Sequence, residues 1–251
     1  MSEVNDPRAI DEGYSMDKYD RPSVPADNVI FTITKEQVNT KYKALPNRTL
    51  KVLLIKRKGK PYKDYWALPG GFSNKNEDLY NTAKRELQEE TKIDNIYLKM
   101  LNQYSTPERD PRGWVISLAF YALVNSDFLD IEAGDDAAEA QWFDVRDIEN
   151  MELLAFDHKQ IILDAIEKIK NDIHITDIAK EFLPDEFSAI ELYQVIKTVD
   201  SDFNEERPNF LRKIISRNIV EETSKTHTKY SQKPAKLYKF TGKVPKLSIY
   251  S

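Results

Sequence analysis

The chain has 251 residues, no cysteine, 40% hydrophobic residues and a formal net charge of −5. That length carries one large or two modest domains with a proper core, and the absence of cysteine excludes disulfides, zinc–thiolate centres and thiol nucleophiles. No apolar run approaches the ~20 residues of a transmembrane helix, and the opening MSEVNDPRAIDEGYSMDKYD is too acidic and polar for a secretory signal, so a cytoplasmic protein without a membrane partner is expected.

Residues 1–26 lack an apolar period and contain Pro7, Pro22 and Pro25, which predicts a flexible leading segment. Asn28–Lys35 and Leu50–Arg57 are rich in β-branched residues and read as strands. Leu68-Pro69-Gly70-Gly71 reads as a turn that lets a backbone carbonyl or a phosphate approach closely. A helix follows, with Asn76 as its expected cap, Glu77 and Asp78 in its first turn, and Leu79, Ala83 and Leu87 on its apolar side. On the same helix Glu86, Glu89 and Glu90 stand at i, i+3 and i+4, one stripe of three carboxylates. Such a hard oxygen set suits Mg²⁺ or Mn²⁺, which commonly bridge protein carboxylates and substrate phosphates.

From Gly71 onward the order is Gly, five residues, Glu77, seven residues, Arg85-Glu86-Leu87, one residue, Glu89-Glu90, one residue, Lys92 and Ile93. This spacing resembles the Nudix box, from which only Lys92 departs, where the family has glycine. The resemblance implies an α/β/α sandwich with a mixed sheet. It also implies a metal site of Gly71, Glu86, Glu89 and Glu90, and structural roles for Gly71, Glu77, Leu87 and Ile93. Arg85 becomes the orienting partner of Glu77 and the catalytic carboxylates. The implied activity is hydrolysis of a nucleoside diphosphate linked to another group. Two carboxylates can serve as general base: Glu89 itself, or Glu139, placed in an acidic loop ahead of Gln141-Trp142-Phe143 where the family carries such a group.

Downstream, Val115–Val124 reads as a long strand, Ala140–Asp144 as a short one, and Leu153–Lys170 as a helix that closes a first unit, 27–171. Arg57, Arg109 and Arg112 offer guanidinium groups for phosphates, while Phe72, Tyr104 and Trp114 are aromatic faces for adenine. The Asp110-Pro-Arg-Gly segment resembles ADP-ribose-binding Nudix proteins, which makes ADP-ribose, cleaved to AMP and ribose 5-phosphate, the expected substrate. His158 is expected to pack or hydrogen-bond locally; His174 and His227 form no metal-spaced pair.

Past residue 171 the pattern turns to short helices over Ile175–Phe182, after a Ser188-x-x-Glu191 capping box, and over Glu205–Arg217. Two strands follow, Ile219–Glu222 and Ala235–Phe240. Three helices and a hairpin are winged-helix grammar, so 172–251 is expected to be a small winged-helix domain. In the third helix Phe210, Leu211, Ile214 and Ile215 form the packing face, with Asn209, Arg212, Lys213 and Ser216 opposite, set to read DNA. Lys225, Lys229, Lys233 and Lys236 would meet phosphates. From Arg207 onward 11 Lys/Arg face only Glu221 and Glu222, so a basic end sits on an acidic body and a polyanion, double-stranded DNA, is its expected partner. A packing or dimerisation domain with a merely solvated basic face is the competing reading. The whole arrangement resembles the Nudix-related transcriptional regulators of NAD metabolism. Two functions therefore stand side by side: a hydrolase, and a regulator that uses the Nudix unit as a ligand sensor. A homodimer is expected for either.

Overall fold

The computed structural model describes residues 10, 13–36, 44–91, 96–126 and 137–243. Ten strands and four α-helices are assigned among them: β1 (Pro25–Glu36), β2 (Asn47–Arg57), β3 (Trp66–Ala67), β4 (Gly70–Phe72), α1 (Leu79–Thr91), β5 (Tyr97–Tyr104), β6 (Ser117–Val124), β7 (Ala137–Asp144), α2 (His158–Ile175), β8 (Phe187–Ser188), α3 (Ala189–Val199), α4 (Arg207–Ser216), β9 (Val220–His227) and β10 (Ala235–Phe240). Short 3-10 helices cover Met16–Lys18, Val145–Asn150 and Ile178–Phe182.

The first seven strands form one mixed sheet, ordered β3-β2-β1-β6-β5, with β4 also pairing β1 and β7 pairing β2. β1 lies parallel to β6 and antiparallel to β2 and β4. Alternation along β1 sends Val29, Phe31 and Ile33 to one face, where they join Ile161, Ile162, Ala165 and Ile169 of α2. Ile30 points to the other face and joins Leu87 of α1. The sheet is thus covered by a helix on each side, the α/β/α layering the sequence predicts.

The C-terminal part is a winged helix: α3 and α4 pack beside the hairpin β9–β10, and β8 adds a third strand on β10. The capping box is present, with the Glu191 carboxylate accepting from Ser188 N (2.9 Å) and Ser188 Oγ (2.8 Å). Leu192, Val195, Ile196, Phe210, Ile214 and Tyr238 belong to the same buried cluster as the Val29 face of the large sheet, so one apolar core runs through both parts.

Several local expectations need correction. Asp78, not Asn76, caps α1: its Oδ1 accepts from Asn81 N at 2.8 Å, while Asn76 takes a left-handed φ of 71° in the preceding turn and Glu77 lies ahead of the first turn. The helix expected over Leu153–Lys170 runs from His158 to Ile175, and the one expected at Ile175 is a 3-10 turn over Ile178–Phe182. Ile215 is 47% exposed and does not join the packing face of α4. Glu139 lies within strand β7 and not in a loop. Lys92 and Ile93 fall outside the described residues, as do Asp135 and Asp136 of the acidic loop expected around Glu139, residues 1–9, 11 and 12 of the leading segment and the side chain of Glu90.

Candidate active site and DNA-binding surface

The box is assembled where β4 meets α1. β4 pairs with the start of β1, Asp27 opposite Gly70 and Ala26 opposite Gly71, which fixes the two glycines against the sheet. Both are needed for space. A Cβ at Gly70 would come within 2.3 Å of the Ala26 carbonyl oxygen, and one at Gly71 within 2.3 Å of Glu86 Oε1. Glu86 therefore rests its carboxylate directly on the Gly71 backbone.

Arg85 organises the carboxylates. Its Nε and Nη2 donate to Glu77 (2.9 and 3.1 Å), its Nη1 to Glu86 Oε1 (2.6 Å), and its Nη2 also to the Phe72 carbonyl (3.2 Å). Glu89 Oε1 lies 3.6 Å from the same guanidinium. The Arg85 hydrogen bonds, with help from Asn74 N and Thr82 Oγ1, hold Glu77 down at a pKa of about 2. Burial pushes the Glu86 carboxyl up, with Arg85 opposing the rise. Glu86 on the Gly71 backbone and the exposed Glu89 beside it offer hard oxygen donors of the kind a divalent cation takes; Glu86 itself fills the room that Gly71 leaves, and among the described residues no third carboxylate or imidazole joins them.

Beyond Gly71 lies a pocket of about 150 Å³, walled by Asp27, Arg57, Gly71, Phe72, Arg109, Asp110, Arg112, Phe156 and His158 among others. The Arg112 guanidinium stands 5.0 Å from the Phe72 ring and 5.4 Å from Phe156; that of Arg57 stands 5.0 Å from Phe156. Two cations thus share one aromatic ring. Burial, then repulsion from Arg112, lowers the Arg57 pKa, a conflict that a phosphate between them would relieve. Arg112 is braced by Asp110, which accepts from its Nε (2.9 Å), Nη2 (2.6 Å) and backbone N (2.9 Å).

Arg109 also lines this pocket but is bound up in it. Its Nε and Nη2 donate to Asp157 (2.9 and 2.6 Å), with Asp27 at 3.6 Å, and its side chain is 4% exposed. It reads as a buried brace more than a free phosphate ligand. His158 Nδ1 accepts from Leu68 N (2.9 Å), and burial lowers its pKa, so the neutral ring is favoured, with Nε2 3.9 Å from Asp27. Asp27 and Phe156 are pocket residues that sequence reasoning does not single out. A polar Asp27-Asn28 pair opening an apolar strand is the signal for the first; Phe156, with a φ of 53°, has none.

Other expected residues lie elsewhere. Glu139 pairs with Lys56 (3.7 Å), whose ammonium stands over Trp66, so its described contacts lead away from Glu86 and Glu89. Tyr104 donates its hydroxyl to Asp164 (2.8 Å) and packs against the main core, which removes it as an adenine platform; Trp114 is 54% exposed.

On the winged helix, Arg212 is exposed and donates to Asn209 (2.9 Å), Ser216 Oγ donates to the Lys213 carbonyl (3.2 Å), and Lys213 pairs with Glu205. Lys225 pairs with Glu186 (2.7 Å) and Lys236 with Glu222 (2.8 Å), so part of the basic excess is answered within the chain. Exposed pairs of this kind contribute little and exchange readily for phosphate. Lys229 stands over Tyr230 at 5.2 Å, and Lys233 is exposed in the turn of the hairpin.

A sandwich carrying the Arg85–Glu77–Glu86 clamp, joined to a winged helix, defines a Nudix-type domain with an appended DNA-binding fold. Residues 44–165 match the NUDIX domain and residues 179–240 the NrtR DNA-binding winged helix domain. The chain belongs to the NrtR family of Nudix and winged-helix proteins. It is 30% identical over 229 residues to the ADPR responsive transcriptional repressor NtrR of Acinetobacter baylyi, covering 90% of this chain and 85% of that protein. It is 46% identical over 114 residues to an ADP-ribose pyrophosphatase of Methanocaldococcus jannaschii, covering 45% of this chain and 64% of that one. The crystal structure of Shewanella oneidensis NrtR superposes with a TM-score of 0.72 at 26% identity, over 90% of this chain and 97% of that one; the same protein is known with a 27mer DNA (TM-score 0.72, 26% identity, 90% and 96% covered). Its Nudix domain is also known with ADP ribose (TM-score 0.50, 30% identity, 62% and 94% covered).

Proposed function

We propose that the chain hydrolyses the pyrophosphate of ADP-ribose at the Nudix box, with Mg²⁺ or Mn²⁺, and binds double-stranded DNA through its winged helix. The observation that carries the hydrolase reading is the seating of Glu86 on Gly71 with Arg85 clamped to Glu77, the geometry that a pure sensor has no need to keep. Glu86 and Glu89, with Glu90 as the third carboxylate of the stripe, would hold the cation, which when bound neutralises phosphate charge and acidifies a water. Arg57 and Arg112 receive the diphosphate, and Phe72 and Phe156 supply flat apolar faces at the same mouth. Arg85 keeps Glu86 aimed while the substrate's charge enters. Glu89, more exposed than Glu86 and within reach of Arg85, is the base this geometry favours over Glu139.

One observation favours a second reading, an ADP-ribose-responsive regulator. The core is continuous from the large sheet into α3 and α4, and Arg48 of β2 donates to Gln194 of α3 (3.3 Å), so ligand-driven strain in the sheet has a packed route to the reading helix. In this reading the units 27–171 and 172–251 work as sensor and reader, as a homodimer on paired half-sites.

The test pairs two assays on the full chain. AMP release from ADP-ribose is followed with Mg²⁺ for the parent protein and Glu86→Gln, and gel shift on the DNA upstream of the protein's own gene is followed with and without ADP-ribose. Loss of AMP release in Glu86→Gln supports turnover; no release from any nucleoside diphosphate by the parent rules it out. A shift in DNA affinity on adding ADP-ribose supports the regulator, and no DNA binding at low salt rules it out.

A further inference from the structure

One cavity of the chain stands away from the box. It lies in the junction between the large sheet and the winged helix, with a volume of about 430 Å³, against about 150 Å³ for the pocket beside Gly71. Four cationic side chains line it from four separate elements: Arg48 of β2, Arg146 of the 3-10 helix after β7, Lys197 of α3 and Arg207 at the start of α4. Among the described residues Asp144 is the single carboxylate of the lining, and it is committed to Arg146, accepting from its Nε (2.9 Å) and backbone N (2.9 Å).

We infer that this junction binds a small phosphate-bearing anion, at a site separate from the Nudix box. The inference is independent of the hydrolase and regulator readings. Cations brought together by unrelated elements repel one another, and an anion among them lowers that cost most in a concavity, where water screens least. The walls make it a concavity: Arg48 is half-buried and hydrogen-bonded to Gln194 (3.3 Å), and Tyr193 at the back is only 9% exposed. Arg207 lies with its guanidinium 5.6 Å from the Tyr193 ring, and the Tyr193 hydroxyl donates to the Glu205 carbonyl (3.0 Å), which fixes the entry to α4. A ligand here touches the sheet and the first turn of the reading helix together. A duplex backbone is a poorer fit, because it follows convex surface and would leave Arg48 and Tyr193 behind.

The test is calorimetric titration of the full-length protein with inorganic pyrophosphate in EDTA, so that no cation serves the box. Three further proteins are compared: Lys197→Gln with Arg207→Gln, the charge-keeping Lys197→Arg, and Arg57→Gln with Arg112→Gln in the box pocket. Thermal melting confirms that each is folded. The expected result is binding that survives in the Arg57/Arg112 variant and in Lys197→Arg, and weakens tenfold or more in the Lys197/Arg207 variant. AMP release from ADP-ribose should stay at the parental rate in the Lys197/Arg207 variant. Binding that disappears with Arg57 and Arg112 and is indifferent to Lys197 and Arg207 overturns the inference. So does a Lys197/Arg207 variant that loses affinity for random-sequence duplex and keeps its pyrophosphate affinity, since that assigns the cleft to DNA.

Discussion

Gly71→Ala is expected to reduce the proposed hydrolysis while leaving stability nearly unchanged. The added methyl would stand 2.3 Å from Glu86 Oε1, 2.7 Å from Cδ and 2.9 Å from Oε2, against an ordinary contact of at least 3.4 Å, so the carboxylate must retreat by roughly 1 Å. The backbone at Gly71 is not left-handed, so alanine meets no conformational strain and gains the small unfolded-state benefit of about 0.4–1 kcal/mol that such a replacement brings. The atoms in the way are the end of a side chain, which can swing toward solvent at the expense of its 2.6 Å bond from Arg85. A displacement of this size costs on the order of 100-fold in rate, or about 2.7 kcal/mol of transition-state stabilisation. Stability should change by no more than about 1 kcal/mol. Initial rates of AMP release from ADP-ribose with Mg²⁺, set beside thermal melting of the same sample, read both quantities. A variant with parental rate and parental melting would show that Glu86 does not act from its seat on Gly71.

Gly70→Ala should behave in the opposite way, because its Cβ would strike the Ala26 backbone at 2.3 Å; disruption of the β1–β4 pairing is expected to cost more than about 3 kcal/mol, read as a drop in melting temperature. Asp172 is buried under hydrogen bonds from Tyr121 (2.5 Å), Lys168 (2.5 Å) and Lys99 (3.1 Å), and Asp172→Asn should lower stability by about 3–5 kcal/mol at neutral pH. Burial acts to raise the Asp172 pKa, but those three donors outweigh it and the net shift is downward. Its contribution is therefore full above the ordinary aspartate value of 3.8 and fades as pH falls through the lower folded value; melting curves of parent and variant should converge there, and a constant gap would refute the assignment. On DNA, Lys233→Ala should weaken binding evenly across sequences and reduce the salt slope by about 1, whereas Arg212→Ala should cost about 1–3 kcal/mol and relax preference at one base position; equal effects on all sequences from both changes would argue against α4 as the reader.

The parts of this molecule that were legible in its sequence are those written in a local pattern. β2 and β6 carry apolar runs because both faces of the central sheet are covered, and the box is a fixed spacing on one helix. β5, Tyr97–Tyr104, escaped because it is an edge strand with half-exposed residues on both faces and no clean alternation. The pocket was half legible. Arg57, Phe72 and Arg112 are residue types that advertise ligand chemistry, while Asp27 and Phe156 reach it only through the β1–β4 pairing and a left-handed turn, which no short window encodes. Arg109 carries the same chemistry as Arg112, and only the fold reveals that Asp157 has taken its donors. The helix that starts at His158 was expected to close the first unit near 171, but it continues to Ile175 because Ile173 is still core.

That last helix bears on how the protein comes apart. A cut after residue 171 would sever α2 and strip Ile173, Phe182, Leu192 and Ile196 from the apolar cluster they share with the sheet. The two halves are therefore expected to melt together, in a single calorimetric peak, and a fragment ending at 171 should be sticky and poorly soluble. Chain order suggests modules that could be exchanged like beads; the buried seam makes them partners in one folding reaction, so any reshuffling of such a protein has to carry the matching surface of both.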